Sequence, residues 1–208
     1  MIASANGLEV VAPENFNPVY LEDVIRSKQK WILEKLAHFD RAAFFMSPQP
    51  GNKRVLYRGH TYEVETEVRS GAPQSVEVDE GKLVVTVPEG SETKAPAVLE
   101  KWYRRMARLL INQRVRIMGQ RLNVSFNRVF IKDQKTRWGS CSHKKNLNFN
   151  WRLVMAPLPV LDYVVVHELI HLIEPNHSKK FWSLVEKACP DYRDHRAWLK
   201  KYGKTLRP

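Results

Sequence analysis

Three histidines and one glutamate lie close together near the carboxyl end of the sequence. His167, Glu168 and His171 stand in the run HELIH, and His177 follows six residues later. On a helix of 3.6 residues per turn, His167 and His171 lie on one face, where two imidazoles can bind one Zn²⁺. Glu168 stands beside them, placed to take a proton from a metal-activated water. With His177 as third ligand, the site keeps one open position, which is typical of catalytic zinc and indicates a metal-dependent hydrolase, with a peptidase favoured.

The segment that carries these residues predicts a helix in the protein core. Residues 160–173 are almost continuously apolar apart from the motif itself, and a helix that is apolar all round is buried. Pro159 suits a first helical turn, and Pro175 should end the helix near residue 173. The chain can then turn and bring His177 back to the other histidines. The alternative is a core helix with hydrogen-bonded histidines and an ion-paired glutamate, which leaves their spacing unexplained.

The same spacing occurs in the metzincin peptidases, but two features exclude that group. Metzincins carry a Gly three residues after the second His, where this chain has Glu174 followed by Pro175. No Met follows the motif in the sequence, so the downstream Met-turn of metzincins is impossible.

A longer set of motifs carries a family resemblance. These motifs are Thr136–Ser142, Asn150–Leu153, Pro175–Ser178, Phe181–Trp182, Pro190–Tyr192 and Trp198–Leu199. Together with HELIH they resemble the YgjP-like family of predicted zinc metallopeptidases, most densely from about Trp102 to Gly203. The family is similar to SprT-like and WLM-type peptidases, some of which act on proteins bound to DNA. The resemblance implies a zincin-like fold with zinc at His167, His171 and His177, and it implies no particular substrate.

The expected mechanism assigns further roles around the metal. Glu168 would act as the general base and then pass the proton to the leaving amine. The tetrahedral oxyanion would be stabilised by the metal and one protein donor, which the sequence does not identify. The candidates for oxyanion or substrate contacts are Arg137, Trp138, Tyr192 and His195. Asp162 and Asp191 are candidates to orient the imidazoles, although an acidic residue such as Asp162 is also favoured in a first helical turn.

The composition, together with the lack of signal-peptide and membrane-helix patterns, predicts a soluble protein. The hydrophobic content of 43% is ordinary for a globular chain. The first residues lack the pattern of a signal peptide, and no apolar run reaches the roughly 18 residues of a membrane helix. We therefore expect a cytoplasmic protein without membrane contact, in which Cys141 and Cys189 are free thiols. Cys141 could be a fourth ligand or a nucleophile, but a small half-buried turn residue is the plainer interpretation.

Charge is distributed unevenly along the chain. Residues 1–100 contain 11 Lys+Arg and 15 Asp+Glu, a net charge of −4, and residues 101–208 contain 23 and 7, a net charge of +16. A basic half indicates an anionic partner, with nucleic acid the leading candidate, or an ordinary solvated surface. The best patch for such a partner is a stripe at helical spacing, formed by Lys101, Arg104, Arg105 and Arg108.

Periodicity predicts an α+β protein in which a small strand-rich module precedes the catalytic domain. In the module, residues 1–94, we expect a strand over 8–13, a helix over 20–39, strands over 55–57 and 61–68, and a hairpin of 75–78 with 82–87. In residues 95–208 we expect a helix over 95–118, strand-rich arms over 123–131 and 137–153 with a turn at 144–146, the buried helix, and tail helices over 179–199 broken at Pro190. The module should pack on the zincin-like half. Either residues 137–140 or 148–151 could form the sheet edge beside the metal, where an extended peptide adds as a further strand.

Three functions are compatible with these patterns. The first is a zinc peptidase acting on proteins or peptides. The second is a metal-stabilised nucleic-acid-binding or adaptor protein that uses the basic half. The third is hydrolysis of a small-molecule amide or ester at the same site. An intact Glu168 favours an enzyme, because metal binding alone does not require it.

Overall fold

The computed structural model describes residues 2–4, 7–9, 27–28 and 54–208. Contacts divide the chain into two compact units, Met1–Gln49 and Pro50–Pro208. In the first unit, strands β1 (Ile2–Ser4) and β2 (Gly7–Glu9) pair antiparallel. The helix predicted over 20–39 lies outside the described residues except for 27–28. The predicted division at residue 94 stays a prediction.

A four-stranded sheet opens the second unit, in the order β3-β4-β6-β5. Its strands are β3 (Arg54–Tyr57), β4 (His60–Val68), β5 (Ser75–Asp79) and β6 (Lys82–Val87). The β3–β4 and β5–β6 pairs are antiparallel and the central β4–β6 pair is parallel. The predicted hairpin of β5 with β6 is therefore confirmed.

The β3–β4 turn docks on the segment before the histidine helix. Arg58 and Gly59 have φ values of 53° and 80°, as a two-residue hairpin turn requires. Their amides donate to the carbonyls of Val154 and Met155 at 2.8 and 3.0 Å. A Cβ on Gly59 would lie 2.8 Å from the Pro157 Cα, so this close approach requires glycine.

Helix α1 (Ala95–Arg121) is the longest described element. It packs on strands of the four-stranded sheet and on the 3-10 helix Trp151–Met155. Its buried face is spaced mostly by four residues and includes Leu99, Trp102, Tyr103, Ala107, Ile111 and Val115. The Tyr103 hydroxyl donates to the Leu56 carbonyl at 2.8 Å and ties the helix to the sheet.

A second sheet has three strands, β7 (Val129–Lys132), β8 (Gly139–Cys141) and β9 (Leu147–Asn150). The order β7-β9-β8 puts β9 in the centre, parallel to β7 and antiparallel to β8. Of the two candidates for the sheet edge, the segment over 137–140 therefore contributes the edge strand. The arm over 148–151 is central, and its Trp151 is fully buried.

Three further α-helices are described in this unit, α2 (Leu158–Ile170), α3 (Lys179–Ala188) and α4 (Tyr192–Tyr202). Helix α2 contacts α1, α3, α4 and β8. This explains why its sequence is apolar on every side. Among the described residues, no helix combines the length and the apolar character needed to cross a membrane.

Candidate active site

The three histidines are positioned by the end of α2 and the turn that follows. His167 lies in the last turn of α2 and His171 is its C-cap residue. The amides of residues 172–174 bond back to the carbonyls of Leu169 and Ile170, which closes the helix end. His177 then comes directly before Ser178, whose hydroxyl accepts from the Phe181 amide and caps α3. The turn that carries His177 is thus fixed on one side by the end of α2 and on the other side by the start of α3.

The imidazoles converge closely enough to share one metal ion. One ligand nitrogen from each ring lies within 4.8 Å of the others, and the Nε2 atoms of His167 and His177 are 3.0 Å apart. Tetrahedral zinc with bonds of about 2.0–2.1 Å would hold its ligand atoms roughly 3.3 Å apart. Two nitrogen lone pairs at such a distance repel unless a proton or a cation lies between them. The residues present therefore fit a metal ion.

The protonation states of His167 and His171 also suit metal binding. His171 Nδ1 lies 3.3 Å from the Glu174 carbonyl. Because a carbonyl only accepts, Nδ1 carries the proton and Nε2 keeps its lone pair. Burial, followed by the neighbouring His171 and His177, lowers the pKa of His167 to about 3. Burial also lowers the pKa of His171. Neutral imidazole is the form that binds metals.

Glu168 is a buried carboxyl beside these rings. Its exposure is 5%, and burial raises its pKa to about 8 against the opposing charge of Arg137. Within the described residues, neither Glu168 Oε2 nor His167 Nδ1 has a hydrogen-bond partner. Buried polar groups without partners are costly, so both atoms indicate a site built for a water molecule, a metal or a substrate.

Gly139 makes room for this carboxyl at the sheet edge. A Cβ on Gly139 would lie 2.5 Å from Glu168 Oε1 and 2.7 Å from its Cγ. Only glycine allows strand β8 to lie so close to the side chain. The sequence contains a signal for this role of Gly139, since glycine inside a strand often marks such a close approach.

Phe181 forms an apolar wall behind all three imidazoles. It is fully buried, and its ring centroid lies 4.6, 4.7 and 4.9 Å from those of His171, His177 and His167. Trp182 stacks on His177 at 5.7 Å with an interplanar angle of 23°. From the sequence, these two aromatic residues were known only as a family motif within a predicted tail helix. The sequence did not show their contact with the histidines.

Two depressions meet at Glu168 and His167, with volumes of about 640 and 350 Å³. Together we call them the catalytic cleft. Arg137 is exposed and lines both, and the half-buried Trp138 lines the smaller one. Arg196, which no sequence motif indicated, lines the smaller depression and lies 5.0 Å over the Trp182 ring.

Tyr192 and His195 lie among aromatic rings next to the cleft. Tyr192 stacks on Trp182 at 5.4 Å, and the His195 ring is 6.5 Å from that of Tyr163. Both side chains are buried, and neither is among the described residues that line the catalytic cleft. The structure therefore brings Arg137 and Trp138 to the cleft, and it places Tyr192 and His195 in the packing around it.

Cys141 lines the larger depression but is not grouped with the candidate metal ligands. Among the described residues, that group contains only the three histidines. Burial and, second, the Glu168 charge raise the pKa of the Cys141 thiol. A thiol with a raised pKa is a poor ligand and a poor nucleophile, which favours the plainer interpretation of this residue.

The basic stripe predicted on α1 is interrupted by ion pairs. Arg104 bonds to Glu100 and Asp133, both at 2.8 Å, and lies 5.0 Å over the Trp151 ring. Through these contacts Arg104 stabilises the fold. Lys101, Arg105 and Arg108 are exposed, but the continuous stripe expected for nucleic acid is not supported.

Comparisons with known proteins show the family of this chain. The family model described as YgjP-like, metallopeptidase domain, matches residues 1–202. No curated protein matches significantly. The crystal structure of the metallopeptidase zymogen abylysin of Pyrococcus abyssi is 23% identical, over 47% of this chain and 96% of that chain, with a TM-score of 0.40. The metallopeptidase zymogen jannalysin of Methanocaldococcus jannaschii is 29% identical, over 46% and 96%, with a TM-score of 0.37. On the extent of the family match, this chain belongs to the YgjP-like family and carries its metallopeptidase domain.

Proposed function

We propose that this protein is a zinc-dependent, zincin-like peptidase that cleaves protein or peptide substrates, with Glu168 as general base. The observation that carries the proposal is the convergence of three imidazoles beside a buried carboxyl whose Oε2 atom lacks a hydrogen-bond partner among the described residues. Metal binding alone would not require that carboxyl.

The donor set favours zinc. His167, His171 and His177 would hold the ion, and three imidazoles with an open position suit catalytic zinc. Bound zinc would supply a water of lowered pKa and polarise the substrate carbonyl. Phe181 excludes water from behind the rings, and the Glu174 carbonyl fixes the tautomer of His171.

Proton transfer falls to Glu168. Its carboxylate accepts the proton of the attacking water and returns it to the amine that leaves. A pKa near 8 keeps both protonation states accessible near neutral pH. Gly139 leaves room for the carboxyl at the sheet edge. Arg137 is our candidate donor for a developing oxyanion, since it lines both parts of the catalytic cleft.

The edge strand favours a peptide over a small amide. Strand β8 pairs with β9 on one side, and in the described part of the chain no strand pairs with its other side. An extended peptide can add there as a further strand next to Glu168. A small-molecule substrate would not use this edge. A cytoplasmic location stays a prediction from the sequence.

Metal content and turnover of matched variants test this function. Glu168→Gln should keep about one zinc per chain and lose turnover of a fluorescently labelled unfolded protein, because it keeps the shape but removes the base. His171→Ala should lose both. Glu186→Gln, on an exposed position of α3, is the control and should keep both. Turnover retained in Glu168→Gln would refute the general base, and a wild type that takes up no zinc would refute the metal site.

A further inference from the structure

A third depression of about 970 Å³ adjoins the catalytic cleft. It lies between residues 133–138, which lead into β8, and residues 199–207 near the carboxyl end. It shares Arg137, Trp138, Leu199 and Lys200 with the catalytic cleft. We call it the basic cleft after its cations, which are Lys135, Arg137, Arg152, Lys200, Lys204 and Arg207.

The charges in the basic cleft are not balanced. Asp133 is the one carboxylate among its described lining residues, and it is already bonded to Arg104 and Arg152. Arg152 is further held over the Trp151 ring at 4.4 Å. The other five cations are exposed, and no carboxylate in the described part of the chain forms an ion pair with them. Such a concave group of like charges attracts anions and repels cations.

The basic cleft continues the path of the edge strand. Arg137 lines it together with both parts of the catalytic cleft, and Trp138 directly precedes β8. A peptide that adds to β8 beside Glu168 therefore runs past Arg137 into the basic cleft. Neutral side chains would leave its cations unpaired there, whereas carboxylates would pair with them.

We propose that the basic cleft binds Asp and Glu side chains of the substrate, so that the enzyme prefers acidic peptide segments next to the cleaved bond. This names the substrate class and rests on the proposed function for the reaction itself. A peptide fits better than nucleic acid, because the cleft leads to a strand edge that recognises backbone amides. Stacking of bases needs free aromatic faces, and the one aromatic residue among the described lining residues, Trp138, packs closely over Gly203.

Peptide binding to the full-length Glu168→Gln variant, loaded with zinc, tests the cleft without requiring turnover. Three labelled ten-residue peptides would differ only in four positions, occupied by Glu, Gln or Lys, and anisotropy would give the affinities. We expect the Glu peptide to bind about tenfold tighter than the Gln peptide, with the Lys peptide weakest. Raising the salt concentration from about 0.05 to 0.5 M should reduce this difference, because exposed charges are screened.

Matched charge variants locate the binding. Adding the substitutions Lys200→Gln and Lys204→Gln to the Glu168→Gln variant should weaken binding of the Glu peptide by roughly 2- to 30-fold. The affinity for the Gln peptide should not change. Lys101→Gln with Arg108→Gln removes the same charge from exposed positions of α1 and should change the affinity by less than about twofold. Equal losses in both pairs would show a general charge effect and overturn the proposal.

Two further outcomes separate the possible failures. If a single-stranded oligonucleotide of equal charge binds tighter than the Glu peptide and loses affinity in the Lys200 and Lys204 variant, the cleft serves nucleic acid and the proposal is overturned. If wild type cleaves Glu and Gln peptides equally well, the proposal fails while the peptidase function stands. If the Glu peptide binds with the expected preference but wild type cleaves nothing, the acidic-peptide site is supported and the peptidase function fails.

Discussion

Arg114 donates two hydrogen bonds to the carboxylate of Asp162, at 2.6 and 2.7 Å. The pair joins α1 to the first half of α2, the helix that carries His167 and Glu168. Asp162 was one candidate to orient an imidazole, but its carboxylate is committed to Arg114, and the backbone carbonyl of Glu174 accepts from His171 instead. Asp162 therefore positions the helix rather than a ligand ring.

Loss of this pair should destabilise the fold. Arg114→Ala leaves the half-buried Asp162 carboxylate without its two donors, so we expect the free energy of unfolding to fall by about 2 kcal/mol. Arg116→Ala removes an exposed arginine of the same helix and should change it by less than about 0.5 kcal/mol. Urea denaturation of both variants measures the difference. Equal effects would mean that the pair contributes nothing beyond the loss of an arginine.

A methyl group on Gly139 should disturb the proposed base. In Gly139→Ala the added Cβ meets Glu168 Oε1 at 2.5 Å, so the carboxyl must move or β8 must shift. We expect turnover to fall by about 100-fold or more, since a displacement of about 1 Å has such effects on catalytic groups. Gly119→Ala is the control, because its nearest neighbour would be at 3.5 Å, an ordinary contact inside a helix.

A double-mutant cycle separates this contact from a general defect of the sheet. Gly139→Ala should destabilise wild type by about 1–3 kcal/mol, and by clearly less in a Glu168→Ala background, where the clashing atoms are absent. Denaturation of the four proteins measures the coupling. The same cost in both backgrounds would place the strain elsewhere in β8.

The buried helix that carries His167 could be predicted because its signals are local in sequence. The spacing of His167 and His171, the apolar flanks and the flanking prolines suffice to place both histidines on one face at the end of a buried helix. The wall formed by Phe181 and the room left by Gly139 could not be predicted in the same way. Both depend on contacts between α2 and elements tens of residues away, which no local period reports.

Helix α1 shows a limit of apolar patterning. Its large apolar residue Leu109 is 63% exposed, whereas Tyr103 and Ala107 are fully buried. An apolar pattern gives most weight to large apolar side chains. The buried face of α1, which packs on the four-stranded sheet and on the 3-10 helix, instead includes a small alanine and a hydrogen-bonded tyrosine. The partnership of Arg104 with Asp133, 29 residues apart, was likewise out of reach of sequence periodicity.

The Phe181 ring should set the zinc affinity through packing. Phe181→Leu keeps a buried apolar residue but removes the flat surface that contacts all three imidazoles, so the rings gain freedom before binding. We expect zinc affinity to fall by about tenfold, in the range found for groups that support metal ligands. Competition with a chromophoric chelator measures it. Val185→Ala, a buried position of the same helix, should lower stability without changing the affinity; an equal change in affinity would assign the effect to helix stability alone.

Removal of zinc should lower the thermal stability of the wild type. A ligand that binds only the folded state stabilises it by about 4 kcal/mol at a thousandfold excess over its Kd, which corresponds to a rise in Tm of roughly 8–16 °C for a chain of this length. Addition of a chelator should therefore lower the Tm of wild type and of Glu168→Gln alike, because the glutamate is not a ligand. The Tm of His167→Ala should not respond to the chelator. A chelator response that survives His167→Ala would show that the stabilising ion binds outside the histidine cluster.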